Sequence, residues 1–257
     1  MNLLFDIGNT RLKWGLAESG ELVETGFLDV GDFVPAELEK QINCLDNIED
    51  AYLCSVASPT ILQSLLTWLN KEQQISSIIV HTEKTACGIR NNYTQIEQLG
   101  VDRWIAALGA RSVQAHGDLI IIDAGTALTI DWLSAKNAFE GGVIVPGFRL
   151  MHDALVGGTA GIQAEYLDNR QIIGKTTNEC VNSGIAYALA GGVERIVNEM
   201  RNMIKNPVSI LLTGGGANAL SSKISLSLSV KCQPHLVLLG LLACEQEHTN
   251  HRNFGVR

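Results

Sequence analysis

Residues 3–14 read LLFDIGNTRLKW, and the rest of the chain is interpreted outward from this stretch. An apolar run ends at Asp6, a glycine follows two residues later, and alternation of polar and apolar residues begins at Arg11. The pattern predicts a strand, a tight turn and a second strand, because glycine has no Cβ and lets the chain bend sharply. A carboxylate beside turn hydroxyl, amide and N–H groups suits a metal-bound phosphate chain. An ordinary hairpin whose aspartate caps the turn explains this stretch equally well.

A second copy of the pattern favours the ligand-binding interpretation. Residues 120–133 read IIIDAGTALTIDWL. Asp123 corresponds to Asp6 at an offset of 117 residues (123 − 6), and a glycine follows two positions later in both copies. A repeat with so long a period indicates two related halves rather than a solenoid. We expect an α/β protein in which two Asp-Gly hairpins face one central cleft.

The composition argues against several classes of protein. The chain has 257 residues, of which 46% are hydrophobic and 18% charged, enough for one large domain or two ordinary ones with real cores. A net charge of −8 argues against nucleic acid and anionic membranes as partners, since both attract basic patches. The six cysteines form no Cys-x-x-Cys pair, which favours reduced thiols. With neither a signal peptide nor a run of ~20 apolar residues, we expect a cytoplasmic protein.

The predicted elements divide the chain into two halves and a tail. We predict an N-terminal half over residues 1–115, a C-terminal half over residues 116–247 and a polar tail over residues 248–257. Each half opens with three strands and continues with alternating helices and strands. The polar stretch at residues 83–99 is predicted as a loop, either functional or simply exposed around a packed tyrosine.

Two further segments have both a structural and a functional interpretation. Residues 100–103, GVDR, open a predicted helix, and an acid in a first helical turn is favoured by the helix dipole alone. The same placement after a glycine could direct a carboxylate and a guanidinium into a cleft. The glycines at 214–216 form a strand-to-helix turn that can lie against a nucleotide, although such turns are common.

Five motifs together carry a resemblance to a known family. They are DIGNTRLK at 6–13, GVDR at 100–103, DAGTALT at 123–129, GGVIVPG at 141–147 and TGGGA at 213–217. In this order they closely resemble the type III pantothenate kinases, members of the acetate/sugar kinase, Hsp70 and actin superfamily. The resemblance implies duplicated ribonuclease H-like (actin-like ATPase) halves, each a mixed sheet flanked by helices. It also implies ATP-dependent phosphorylation of pantothenate to 4′-phosphopantothenate, the first step of coenzyme A biosynthesis.

The resemblance further implies roles for individual residues. Asp102 matches the general base, Asp6 a ligand of the Mg²⁺-bound ATP phosphates, and Asp123 a ligand of a monovalent cation, K⁺ or NH₄⁺. The other positions matched to cofactor binding are Gly8, Asn9, Thr10, Lys13, Gly125, Thr126, Gly214 and Gly215. The positions matched to substrate binding are Tyr93, Gly100, Val101, Arg103 and Thr177. Because carboxylates near a polyphosphate repel it unless a cation intervenes, a metal requirement is expected.

Two alternatives to this function stay open. A kinase of the same superfamily could act on a different small alcohol, because a fold does not name its acceptor. Some family members are described as accessory regulators of transcription, so a binding protein of the same fold is the second alternative. The acidic net charge disfavours direct DNA contact, and the presence of Asp6, Asp102 and Asp123 favours catalysis. The family is commonly dimeric, which implies a homodimer.

Overall fold

The computed structural model describes residues 1–42, 45–167, 171–224 and 230–254, and the last three residues of the predicted tail lie outside these ranges. The strands are β1 (Asn2–Ile7), β2 (Arg11–Glu18), β3 (Glu21–Asp29), β4 (Asp50–Ser55), β5 (Ser76–Ile79), β6 (Thr85–Ala86), β7 (Ile89–Asn91), β8 (Asp118–Ala124), β9 (Ala127–Ser134), β10 (Ala138–Pro146), β11 (Val208–Thr213) and β12 (Val230–Cys232). The helices are α1 (Pro35–Gln41), α2 (Pro59–Thr67), α3 (Val101–Val113), α4 (Phe148–Gly157), α5 (Thr177–Met203), α6 (Ala217–Ser221) and α7 (Leu236–Phe254).

The first compact unit contains a five-stranded mixed sheet in the order β3-β2-β1-β4-β5. The central strand β1 pairs antiparallel with β2 and parallel with β4, which in turn pairs parallel with β5. Leu3, Leu4 and Phe5 in β1 have no exposed surface. A strand that is apolar on both sides in this way is typical of a sheet covered on both faces.

The other sheet has seven strands in the order β12-β11-β8-β9-β10-β7-β6, and its strands β10-β9-β8-β11-β12 repeat this plan around the central strand of the second compact unit. Its central strand β8 pairs antiparallel with β9 and parallel with β11, and β11 pairs parallel with β12. The same strand order, and the same directions around the central strand, confirm the duplication that the repeated motif predicts. Each unit has its own apolar core, with Phe5, Leu53 and Trp68 in the first and Ile120, Ile130 and Val193 in the second.

The division of the chain differs from the one drawn from the sequence. The first unit consists of Met1–Ala115, Asn137–Phe139 and the chain from His235 onward, and the second of His116–Lys136 and Glu140–Pro234. The sequence-based second half at 116–247 therefore includes a helix, α7, that packs in the first unit. The polar tail expected from residue 248 continues α7 as far as Phe254, since no glycine or proline interrupts it there.

Two glycines explain why α7 packs so closely on α3 within the first unit. A Cβ atom on Gly109 of α3 would overlap the carbonyl oxygen of Leu236. A Cβ atom on Gly240 of α7 would overlap the carbonyl oxygen of Ile105. The helices therefore meet backbone to backbone. In the described residues, no helix combines the length and the apolar character needed to cross a membrane.

The stretch predicted as a loop at residues 83–99 contains the short hairpin β6–β7. Cys87 and Gly88 form its turn with φ values of 49° and 71°. Positive φ at both central residues is characteristic of two-residue hairpin turns. The strands are only two and three residues long and largely polar, which is why alternation did not reveal them.

Candidate functional site

The first Asp-Gly turn places a carboxylate and an ammonium group side by side. Asp6 is 6% exposed near the end of β1, and Lys13 lies directly opposite it on β2. The Lys13 Nζ donates to the Asp6 Oδ2 at 3.1 Å. Between them, the Gly8 N–H donates to the Arg11 carbonyl at 3.0 Å, which closes the predicted turn.

The residues at the tip of this turn are open to solvent. Asn9 and Thr10 are exposed, while Gly8 is half-buried. A Cβ atom on Gly8 would lie 3.1 Å from the Arg11 carbonyl oxygen, so glycine fits the bend best. The amide and hydroxyl groups of the turn are thus accessible to a ligand that approaches Asp6.

Asp102 lies in the first turn of α3, within the same unit as Asp6. Its Oδ1 accepts a hydrogen bond from the Arg103 N–H at 2.8 Å. A Cβ atom on Gly100 would lie 2.6 Å from that Oδ1, so the glycine before the helix makes room for the carboxylate. Burial raises the pKa of Asp102, the Arg103 N–H opposes the rise, and the Asp6 carboxylate adds to it. A carboxylate with a raised pKa is a stronger base than an ordinary aspartate.

A buried thiol lies beside the two carboxylates. Cys54 pairs with Asp6 across the β1–β4 register and is 1% exposed. Burial raises the pKa of Cys54, and the carboxylates of Asp6 and Asp102 raise it further. Both carboxylates therefore act electrostatically on the same buried group of the first unit. No sequence pattern marks Cys54 as part of a site, because it lies in an ordinary apolar strand.

Arg103 and Tyr93, both predicted as substrate-binding residues, are in direct contact. The Arg103 Nη1 donates to the Tyr93 hydroxyl at 3.1 Å, and Arg103 is 6% exposed. The guanidinium carbon lies 5.8 Å from the ring centroids of both Tyr93 and Phe139. Asn91 fixes the main chain at Tyr93, because the Asn91 Oδ1 accepts a hydrogen bond from the Tyr93 N–H at 2.9 Å. Phe139 and Asn91 were missed by the sequence analysis.

The second Asp-Gly turn has the same position in the second unit. Asp123 is half-buried near the end of β8, in register with Thr129 and Thr213. Gly125 and Thr126 form the exposed tip of its turn. Gly125 and Thr126 are therefore exposed to solvent, as the tip of the first Asp-Gly turn is.

Two other glycine turns close onto the end of β8. The Gly147 N–H donates to the Thr126 carbonyl at 3.0 Å, and a Cβ atom on Gly147 would overlap the Gly125 carbonyl oxygen. Gly214 has a φ of 92°, and a Cβ atom there would overlap the Asp123 Oδ1. Neighbouring Gly215 is exposed. Backbone packed this closely at a strand end suits a phosphate or nucleotide.

Thr177 and Val101 are the first residues of α5 and α3. Thr176 caps α5, because its Oγ1 accepts from the Glu179 N–H at 3.2 Å while the Glu179 carboxylate accepts from the Thr176 N–H at 3.2 Å. The spacing of Thr176 and Glu179 in the sequence is that of a capping box, and this reciprocal cap marks the start of α5. It leaves Thr177 exposed in the second unit.

The residues present fit a magnesium ion that is shared with phosphates. Among the residues that the structure describes, no three His, Cys, Asp or Glu side chains form a metal cage of their own. Mg²⁺ at phosphoryl-transfer sites is usually held by one or two carboxylates, with phosphate and water oxygens completing the shell. Asp6 supplies a carboxylate of this kind.

The duplicated sheets and the Asp-Gly turn at the end of each central strand define an actin-like ATPase fold. Solved structures agree with this class. A protein from Campylobacter jejuni, described as a Baf family transcriptional activator, superposes with a TM-score of 0.62 at 17% identity, over 96% of this chain and 99% of that one. Component A of the Acidaminococcus fermentans (R)-2-hydroxyglutaryl-CoA dehydratase superposes with a TM-score of 0.53 at 13% identity, over 95% of both chains.

The chain belongs to the type III pantothenate kinase family, whose model matches residues 2–199. A type III pantothenate kinase from Nitrosospira multiformis is 33% identical over 264 residues, which covers 99% of this chain and 94% of that protein. The resemblance stated from the motifs is thereby confirmed. The family is one of ATP-using kinases that act on pantothenate in coenzyme A biosynthesis and require a divalent cation.

Proposed function

We propose that this chain transfers the γ-phosphoryl group of ATP to the 4′-hydroxyl of pantothenate, with Asp102 as the general base. The hydroxyl proton passes to Asp102, and the alcohol oxygen bonds to the γ-phosphorus. The bond from that phosphorus to the bridging oxygen breaks and releases ADP. The observation that best supports this proposal is the half-buried Asp102 carboxylate, whose pKa is raised by burial and by neighbouring Asp6.

Asp6 and Lys13 bind the triphosphate from the first unit in this proposal. A divalent cation on Asp6 would neutralise phosphate charge, which is the main requirement of phosphoryl transfer. Lys13 donates to a phosphate oxygen, and Gly8, Asn9 and Thr10 offer turn groups to it.

The second unit contributes the remaining nucleotide contacts. Thr126 and the turn glycines at 125, 214 and 215 let backbone N–H groups approach the nucleotide. Asp123 would hold the monovalent cation, K⁺ or NH₄⁺, since its carboxylate oxygens attract a positive charge.

Pantothenate carries a carboxylate, amide groups and hydroxyls, and we assign it to the substrate-binding positions. Arg103 and Tyr93 donate to its oxygen atoms, because a guanidinium matches carboxylate geometry. Gly100 and Val101 line the approach to Asp102, and Thr177 offers a hydroxyl.

An assay of ADP release with pantothenate, ATP, Mg²⁺ and K⁺ tests the proposal. Asp102→Asn should retain ATP affinity in a calorimetric titration while turnover falls. Glu37→Gln, which alters an exposed carboxylate paired with Lys40 on α1, is the matched control and should retain full turnover. Loss of ATP affinity in Asp102→Asn would contradict the proposal that Asp102 is the general base. Activity that disappears without K⁺ or NH₄⁺, and is sensitive to Asp123→Asn, supports the cation assignment.

The alternatives predict different outcomes in the same assay. A kinase for another small alcohol would release ADP with a different member of a substrate panel. The Campylobacter jejuni structure is described as a transcriptional activator. A regulatory protein would give no turnover with any alcohol.

We also propose a homodimer, in the cytoplasm where ATP is supplied. In the second unit, α4 and α5 enclose a groove of about 310 Å³ lined by apolar residues that include Met151, Leu155 and Val181. Burying such a surface in a symmetric partner is a common use of an apolar patch. A scattering mass near 27.8 kDa would contradict the dimer. Cys180 lines the groove, so thiol labelling should spare it and modify exposed Cys232.

A further inference from the structure

We infer that Phe139 is a positioning residue for substrate binding, which holds Arg103 and Tyr93 in one fixed arrangement. This inference rests on the proposed role of those two residues in binding pantothenate. It adds a residue that lies 36 positions from Arg103 in the sequence (139 − 103) and belongs to none of the five motifs.

The ring of Phe139 is the common neighbour of three side chains. It has no exposed surface. Its centroid lies 6.1 Å from that of Tyr93 at a tilted angle of 53°, and 6.4 Å from that of Trp104, edge to face at 73°. The Arg103 guanidinium carbon lies 5.8 Å from it. Both ring contacts fall within the range of favourable aromatic pairs.

The main chain around Phe139 holds the segment that carries Tyr93. The start of β10 pairs parallel with β7, so that Phe139 is in register with Asn91. The Asn92 N–H donates to the Phe139 carbonyl at 3.1 Å, and the Arg90 N–H donates to the Asn137 carbonyl at 2.9 Å. Residues 137–139 are thus bound into the first unit, although the rest of β10 belongs to the second.

Arg103 benefits from two rings at once. Tyr93 lies 5.8 Å from the guanidinium and also accepts its hydrogen bond at 3.1 Å. Phe139 contributes a second π face at the same distance. A cation–π contact of this kind favours one position of the charge by an amount that corresponds to about 2- to 30-fold in an equilibrium. An arginine already held in its binding geometry loses less side-chain entropy when substrate arrives.

The consequence is specific to one substrate. Loss of the π face should weaken pantothenate binding and leave the nucleotide contacts unchanged. A residue that only filled space in the core would instead lower the melting temperature and leave both Michaelis constants as they were.

The test compares Phe139→Leu with Phe139→Tyr. Leucine roughly keeps the apolar volume but removes the π face, whereas tyrosine keeps the face. We expect Phe139→Leu to raise the KM for pantothenate about 2- to 30-fold with the KM for ATP unchanged. Phe139→Tyr should keep the KM for pantothenate near that of the wild type, even if its buried hydroxyl lowers the melting temperature. Trp68→Leu is the matched control, because it removes another buried ring of the first unit, next to Glu39.

A double-mutant cycle with Arg103→Leu separates this inference from the proposed function. If Phe139 acts through Arg103, Phe139→Leu adds little to the KM for pantothenate of Arg103→Leu. An unchanged KM in Arg103→Leu would overturn the proposed role of Arg103. A raised KM there, combined with equal KM values for Phe139→Leu and Phe139→Tyr, would overturn only the inference about Phe139. If Phe139→Leu does not fold, Phe139→Met replaces it in the same comparison.

Discussion

Asp6 and Lys13 face each other across the β1–β2 register, and their side chains form an ion pair of 3.1 Å. The Asp6 side chain is 8% exposed and that of Lys13 is 32% exposed, so the pair is accessible mainly from the lysine side. In the proposed function, a phosphate would contact the ammonium of Lys13, and the carboxylate of Asp6 would hold a divalent cation.

Lys13→Met should raise the KM for ATP by about 10-fold or more, because it removes a charge-assisted hydrogen bond to phosphate and leaves Asp6 unpaired. The KM for pantothenate should change little. Lys40→Met, in an exposed pair with Glu37, provides the control and should behave as the wild type. Equal ATP constants in all three proteins would contradict the assignment of Lys13.

Asp102→Asn should increase the free energy of unfolding and lower the turnover rate about 10²- to 10⁴-fold. The pKa of Asp102 is raised in the folded state, so its ionised form opposes folding. This cost is absent at low pH, where the acid is protonated in both states. It grows as the pH rises above the unfolded value of about 3.9 and is complete above the folded pKa.

Thermal unfolding across pH checks the sign of that effect. The melting temperature of Asp102→Asn should exceed that of the wild type at pH 7, and the difference should shrink as the pH falls toward about 4. A variant that is less stable at neutral pH would show that the ionised carboxylate supports the fold.

Asp6→Asn should shift the acid limb of the pH–rate profile to lower pH. The Asp6 carboxylate raises the pKa of Asp102, so its removal should let the base ionise in more acidic solution. The measurement is kcat/KM for pantothenate at saturating ATP, with Glu37→Gln as the control that keeps the wild-type limb. A shift to higher pH, or none, would mean that another group sets this limb.

Gly147→Ala should weaken ATP use, because a Cβ atom would push the Gly125 carbonyl and the turn it belongs to. We expect a rise in the KM for ATP with a loss of stability of about 1–3 kcal/mol from overpacking. Gly192→Ala in α5 is the matched control. Apart from the helix's own nearby backbone, no atom lies within 4 Å of its added methyl group, so stability should rise by about 0.5–1 kcal/mol. If both variants have the same KM for ATP, the turn is not part of the nucleotide site.

The duplicated fold was predictable because a short local sequence motif marks each half. Asp6 and Asp123 each follow an apolar strand and precede a glycine turn, and both occupy the same place in their sheets. Thr176 and Glu179 have the spacing of a capping box, so the start of α5 was predictable as well.

Other features depend on contacts that no local pattern encodes. Phe139 reaches Arg103 through the pairing of β10 with β7, and Cys54 reaches Asp6 through parallel pairing across 48 residues (54 − 6). The packing of α7 in the first unit involves Gly109 and Gly240. These glycines let two helices that are far apart in the sequence approach each other closely. β12 is three residues long, too short to produce a periodic signal.

Phosphorus NMR of a reaction containing the purified protein, ATP, Mg²⁺, K⁺ and pantothenate tests the central claim most directly. We expect a phosphomonoester signal that grows together with ADP, is absent without pantothenate, and forms about 10²- to 10⁴-fold more slowly with Asp102→Asn. A wild-type protein that forms no phosphomonoester, or an Asp102→Asn variant that forms it at the wild-type rate, would contradict the account.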